Sequence, residues 1–311
     1  MRNKVSLAHL ALISVNLIYA ANHLLAKGVT PEHIGPNGFI IIRMGVATVL
    51  FFIVYLAFIR EKIDKKDIPL LFLTGLFGIG ASQILFLNGI AYTSAMNVGV
   101  LMTTIPIITV ILSYFFLKER ITKLKGIGVI VGGIGAIALA IVGKTAQYDS
   151  TFGDIMIVSN AFLFAAYLVL VKPLMKKYNP LTVITYNFIF GYVFILLYPP
   201  AWEELLAASF SQFPMDIWLK IGFIILFATF ITYLFNVFSL KHLTPSVTGS
   251  YVYTQPAFVI MLTFVFATIG WTENFIGAIT LGKVTFMLMI FLGVYLISFS
   301  AKIERKKKKI D

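Results

Sequence analysis

Apolar runs of roughly 20 residues recur along the whole chain, separated by short polar segments, at about 6–26, 37–59, 68–91, 95–117, 124–143, 152–174, 180–199, 217–240, 245–268 and 278–300. Each run is continuous and rich in Leu, Ile and Phe. About 20 residues rising 1.5 Å each cross a hydrocarbon core of roughly 30 Å. A barrel would instead show shorter segments of alternating polarity. The pattern therefore predicts an all-α membrane protein with ten transmembrane helices. The first run has the outline of a secretory signal, with Arg2 and Lys4 ahead of an apolar stretch ending in Tyr19-Ala20-Ala21. Asn16 interrupts it and its pattern returns in the sixth run, so it is read as a span.

Composition agrees: 59% of the 311 residues are hydrophobic, 12% are charged, and the mean hydropathy is +0.93. That leaves too few polar side chains to clothe a soluble domain. A net charge of +12 would suit a nucleic-acid partner, but its placement excludes one. With the N-terminus inside, 20 of the 25 Lys and Arg fall in the segments on that side. By the positive-inside rule both termini are cytoplasmic and the chain sits in the cytoplasmic (inner) membrane. The end of the chain, KIERKKKKID, reads as a topology signal that also attracts anionic lipid. The longest outer loop, 199–216, predicts a short interfacial helix, and Trp202, Trp218 and Trp271 all fall on that side. No loop has room for a soluble domain. The absence of cysteine excludes disulfides and thiolate chemistry, and His9, His23, His33 and His242 show no metal spacing. No metal or cofactor is called for.

An internal repeat organises the runs. At an offset of 150, Ala95-Met96-Asn97-Val98-Gly99 meets Pro245-Ser246-Val247-Thr248-Gly249, and Thr104-Ile105-Pro106 meets Thr254-Gln255-Pro256. At 145, Ser14 meets Ser159, Ala20-Ala21 meet Ala165-Ala166, and Lys27 meets Lys172. Five spans per unit is odd, so the second copy enters the membrane from the opposite side. The expected organisation is two inverted five-helix repeats, residues 1–146 and 147–303, followed by a polybasic tail, 304–311. Repeats of this kind place a solute site near the midplane between the halves.

The stretch Ala91-Tyr92-Thr93-Ser94-Ala95, then Thr104-Ile105-Pro106, then Leu117-Lys118-Glu119-Arg120-Ile121-Thr122 and the glycine-rich fifth span resembles EamA-type carriers of the drug/metabolite transporter superfamily. The resemblance covers nearly the whole chain, and Arg43 sits where that family commonly has an arginine. It implies a ten-helix inverted repeat around a central cavity, and transport of varied solutes, many of them exported amino acids or metabolites.

None of the 13 acidic residues falls in the hydrocarbon region; Asp154 comes nearest, at the start of the sixth span. A carrier of lipophilic cations would be expected to place an acid at depth, so that reading recedes. Arg43, about seven residues into the second span, is the most informative charge. At that depth it should face a polar cavity or partner, either attracting an anionic solute group or clamping backbone carbonyls. Asn16, Tyr19, Asn22 and His23 form a polar stripe on the first span, with Asn160 and Tyr167 on the repeat-related sixth. His23 is also the candidate proton acceptor at depth. Tyr251, Tyr253 and Gln255 precede Pro256, and Asn97 precedes Pro106; the prolines should kink spans 9 and 4 and free backbone carbonyls there. Gln83 and Tyr233 meet at offset 150. For all of these, interhelical hydrogen bonding is the alternative to solute contact. The glycines of span 5, Gly128 and Gly132 above all, read as a packing face, within a monomer or a homodimer.

The leading reading is a secondary carrier, probing a small metabolite by aromatic, amide and guanidinium groups. A channel or multidrug permease of the same architecture, or an intramembrane enzyme, are the alternatives. An enzyme would need paired acids, a metal set or an activated nucleophile at depth, and none is present.

Overall fold

The computed structural model describes residues 2–26, 28–93, 98, 101–142, 150–268 and 281–307. Among these the secondary structure is entirely helical. In chain order the helices are α1 (Arg2–Ala26), α2 (Pro36–Phe58), α3 (Lys65–Tyr92), α4 (Thr104–Leu117), α5 (Lys123–Val142), α6 (Thr151–Lys177), α7 (Pro180–Leu196), α8 (Pro199–Ala207), α9 (Met215–His242), α10 (245–268) and α11 (Leu281–Lys307). Six of them, α1, α2, α3, α6, α9 and α11, are long and apolar enough to cross a membrane, and α7 with α8 makes a seventh if the pair counts as one bent span. Helices are the form such segments must take, because lipid offers nothing to a backbone N–H or C=O. The expected spans 95–117 and 278–300 begin on residues outside those described, as do parts of the repeat matches at 95–100, and Trp271.

The pattern of burial is that of a bundle in lipid. Helix α5 turns Ile127, Ile130, Ile134 and Ile137 outward and Gly128, Gly132 and Gly135 inward against α11. The approach is so close that a Cβ on Gly293 would lie 2.5 Å from the Cα of Gly132. Small residues at a helix contact replace the hydrophobic driving force that lipid abolishes.

Breaks in the helices fall where the sequence dictates them or where geometry does. Pro180 and Pro199 occupy first-turn positions of α7 and α8, where a missing N–H costs nothing, and α8 is bent 78° from α7. This is the short helix expected in 199–216. It supplies Glu204, whose carboxylate accepts from the backbone N–H of Asn37 (2.6 Å) and Gly38 (3.0 Å), closing the amide end of α2. Ahead of Pro106 the helix is interrupted by a turn at Thr103, whose backbone stays in the right-handed helical region. Ahead of Pro256, Tyr251–Thr254 tightens into a 3-10 turn. Two further distortions have no sequence signature. Leu76–Gly80 in α3 and Leu226–Ile231 in α9 are π-helical turns, and they coincide at the offset of 150.

Candidate solute cavity

Between these helices lies a cavity with about 70 Å³ of room for water-sized spheres. A single water needs at least about 10–15 Å³ by that measure, so the space suits a solute of a few heavy atoms. Its wall comes from α1 (Val15, Asn16, Tyr19, Asn22, His23), α2 (Arg43), α3 (Gln83, Phe86), the stretch just before α4 (Met102), α4 (Ile105), α6 (Asn160, Phe164, Leu168), α9 (Tyr233, Asn236) and α10 (Thr248, Val252, Gln255). No carboxylate among the described residues lines it.

The lining repeats itself. Val15/Asn160, Tyr19/Phe164 and His23/Leu168 are pairs at offset 145, and Gln83/Tyr233, Phe86/Asn236, Met102/Val252 and Ile105/Gln255 are pairs at 150. Fourteen of the 18 wall residues fall in such pairs, so positions matched by the two offsets face one space. Arg43 does not: α7 contains no basic residue.

Arg43 is only 2% exposed. Its Nε donates to Thr229 Oγ1 at 2.7 Å and its Nη2 makes a long bond of 3.5 Å to Ala228 O. Both partners lie in the π-turn of α9, whose wider spacing also lets Thr229 Oγ1 donate to Ile224 O, five residues back (2.9 Å). Among the described residues Nη1 has no partner. The guanidinium is thus held by one edge, and the other edge of this cavity-lining residue has no partner among the described residues.

The amides are oriented by chains of bonds. Asn16 Nδ2 donates to Leu12 O (2.7 Å), so Asn16 Oδ1 is the acceptor for Gln255 Nε2 (2.9 Å). Gln255 Oε1 then faces His23 Nε2 at 3.4 Å, so the bond between them needs a proton on Nε2. On the other side, Gln83 Nε2 donates to Tyr233 OH (3.1 Å), and that hydroxyl donates to Gly78 O in the π-turn of α3 (3.0 Å). Among the described residues Gln83 Oε1 is left without a partner, as are Asn22 Oδ1 and Thr248 Oγ1. Asn160 is spent on Ser82, to its carbonyl (2.8 Å) and hydroxyl (2.9 Å). Asn236 Nδ2 reaches Tyr19 OH at 3.4 Å.

Nine of the residues expected at a solute site therefore share this wall: Asn16, Tyr19, Asn22, His23, Arg43, Gln83, Asn160, Tyr233 and Gln255. Tyr167, Tyr251 and Tyr253 do not line it. The 3-10 turn has about three residues per turn, which puts Val252 and Gln255 on one face and sends the two tyrosines elsewhere. Tyr253 lies against Gly132 and donates to Val129 O (3.1 Å), and Tyr251 pairs with His9 Nδ1 (2.7 Å). Tyr167 packs its ring on Gly78. Asn97 is outside the described residues. Lys172 caps α9 by donating to the carbonyls of Leu240 and Leu243, and Asp154 accepts from Thr93 Oγ1 (2.7 Å). Thr229, Asn236 and Thr248 were not singled out by sequence. Thr229 and Asn236 share the helix face of Tyr233 at four residues before and three after, and Thr248 shares that of Val252 and Gln255.

Residues 6–141 and 151–299 match the EamA-like transporter family. The chain belongs to that family. It is 24% identical over 306 residues, 97% of this chain and 96% of the other, to the uncharacterized transporter YyaM of Bacillus subtilis (strain 168). A protein of Streptantibioticus cattleyicolor named "Probable terminal-alkyne amino-acid exporter" is 29% identical over 167 residues, 54% of this chain and 56% of that one. A crystal structure with 15% sequence identity superposes with a TM-score of 0.72 over 96% of this chain and 98% of its own, which shows the shared fold. Family and fold make this protein a multi-pass membrane transporter of a small-molecule solute.

Proposed function

We propose that the protein is an alternating-access secondary transporter that exports a small carboxylate-bearing metabolite, an amino acid or close relative, across the cytoplasmic membrane. In this reading residues 1–146 and 147–303 are inverted five-helix repeats giving ten spans, with both termini and the tail 304–311 cytoplasmic. The paired offsets in the cavity wall and the matching π-turns support the repeat, since equivalent halves have two packings of similar energy.

The observation that carries the solute class is Nη1 of Arg43, unpartnered among the described residues, in a cavity that none of their carboxylates lines. A buried cationic donor is stabilised by a solute anion far more than by a neutral group. Opposite in character are the acceptors Asn22 Oδ1 and Gln83 Oε1, both unpartnered among the described residues, the second oriented by the bond from Gln83 Nε2 to Tyr233. One anionic oxygen pair and one N–H-bearing group is the complement, which a zwitterionic amino acid provides. The exporter named among the relatives supports the direction and the class.

The test is solute counterflow in proteoliposomes, screening amino acids, organic acids and hydrophobic cations. Saturable counterflow of amino acids and silence with the cations is the expected result. Counterflow confined to hydrophobic cations would overturn the solute class, and unsaturable flux would indicate a channel.

A further inference from the structure

A second and larger cleft, about 660 Å³, opens between the first half of α1, the start of α7 and the last half of α9. Its chemistry is graded along the membrane normal. Lys4 stands at one end of its α1 wall, and Leu7, Leu10 and finally Ser14 follow along the helix. On α9 the order is the same: Lys241 and His242 at that end, then Phe238 and Leu234. Ten residues of α1 and eight of α9 correspond to roughly 15 and 12 Å. Half of a hydrocarbon core of about 30 Å is the same length.

The cleft is therefore one leaflet deep, apolar along its length, and cationic at its mouth. Lys4 and Lys241 are both exposed there, and no acidic residue among those described lines it. Glu61 touches the same start of α7, but its carboxylate is engaged by Asn179 N (2.9 Å) and Thr182 Oγ1 (2.7 Å). Leu7 and Leu10 are 53% and 58% exposed, so their apolar surface needs a hydrocarbon neighbour. A neutral lipid would satisfy the wall and leave the two ammonium groups uncompensated; a phosphate diester with a net negative charge satisfies both.

We infer that this cleft is a binding site for one anionic phospholipid, with its phosphate between Lys4 and Lys241 and an acyl chain along Leu7, Leu10 and Phe238. The site is separate from the solute cavity and does not depend on the solute reading.

Native mass spectrometry of the full-length protein in detergent, titrated with dioleoyl-phosphatidylglycerol or dioleoyl-phosphatidylcholine, tests it. One phosphatidylglycerol should be retained about 30-fold more tightly than phosphatidylcholine, because each basic residue near the headgroup contributes about fivefold. The double substitution Lys4→Gln/Lys241→Gln should erase that preference, with each single change removing part of it. Lys65→Gln/Lys66→Gln removes the same charge at an exposed helix start outside the cleft and should leave the preference intact. Glycerol 3-phosphate at millimolar concentration should not displace the lipid. Equal retention of the two lipids overturns the inference, as does an equal loss in the Lys65/Lys66 variant, which would mean diffuse surface charge. Displacement by glycerol 3-phosphate would also overturn it, since it would mark a phosphate site without a chain groove. All variants should melt at the wild-type temperature, both lysine pairs being exposed.

Discussion

Replacing Arg43 by Gln separates the two jobs of that side chain. For folding, the structure predicts little change. The substitution removes a charge-assisted bond to Thr229 and a marginal one to Ala228, but it also removes the cost of keeping a guanidinium out of water. Thr229 keeps its own bond to Ile224 and the new amide can still donate to it. The net should be within about 1 kcal/mol, or a melting shift of no more than roughly 4 °C. For a bound carboxylate the balance is different. Removing one member of a buried charge pair costs about 3–5 kcal/mol, a loss in affinity of roughly 150- to 5,000-fold. The assay is the concentration dependence of counterflow for an amino acid and for its carboxamide, in wild type and variant. The carboxylate should weaken by that factor and the carboxamide by less than about tenfold. If both weakened equally, or neither did, Arg43 would be a clamp on the π-turn of α9 and nothing more.

Other consequences follow from the packing. Gly293→Ala should force α5 from α11, because its Cβ would meet the backbone of Gly132; a loss of about 1–3 kcal/mol should appear as a lower melting temperature, and unchanged melting would contradict the contact. Glu119→Ala strands Lys125, which is 1% exposed and otherwise bonded to Arg120 O at 3.0 Å; it should cost about 3–5 kcal/mol, and Glu119→Ala/Lys125→Met should recover much of that. A double variant no more stable than the single one would refute the pairing. Tyr233→Phe deletes the hydroxyl between Gln83 and Gly78, costing about 1–3 kcal/mol in thermal stability and raising KM for amine-bearing solutes as the Gln83 amide loses its fixed orientation. A wild-type KM would show that Gln83 does not contact the solute.

What was legible in the sequence was whatever depends on helical period and on the repeat. The stripe of Asn16, Tyr19, Asn22 and His23 follows from 3.6 residues per turn, and all four reach the cavity. The offset of 150 placed Gln83 and Tyr233 at equivalent points, and the structure joins them by a hydrogen bond. Local departures from that period were not legible. Nothing in LFGIG or LFATFI announces a π-turn, yet one of them receives Arg43 and the other Tyr233. The 3-10 turn ahead of Pro256 likewise diverts Tyr251 and Tyr253, which an α-helical reading puts at the site. Partners remote in the chain, such as Asn16 with Gln255 at a separation of 239 residues, leave no periodic trace.

The chain contains no cysteine, so a single introduced thiol reports without background. Thr248→Cys is nearly isosteric, lies in the cavity wall, and replaces a hydroxyl that has no partner among the described residues. With a membrane-impermeant thiol reagent applied to one face of oriented vesicles and then to the other, a pocket that opens in turn to each side predicts modification from both. A saturating amino-acid solute should slow both reactions. Modification from one face only, with the solute giving no protection, would contradict a solute pocket served by alternating access.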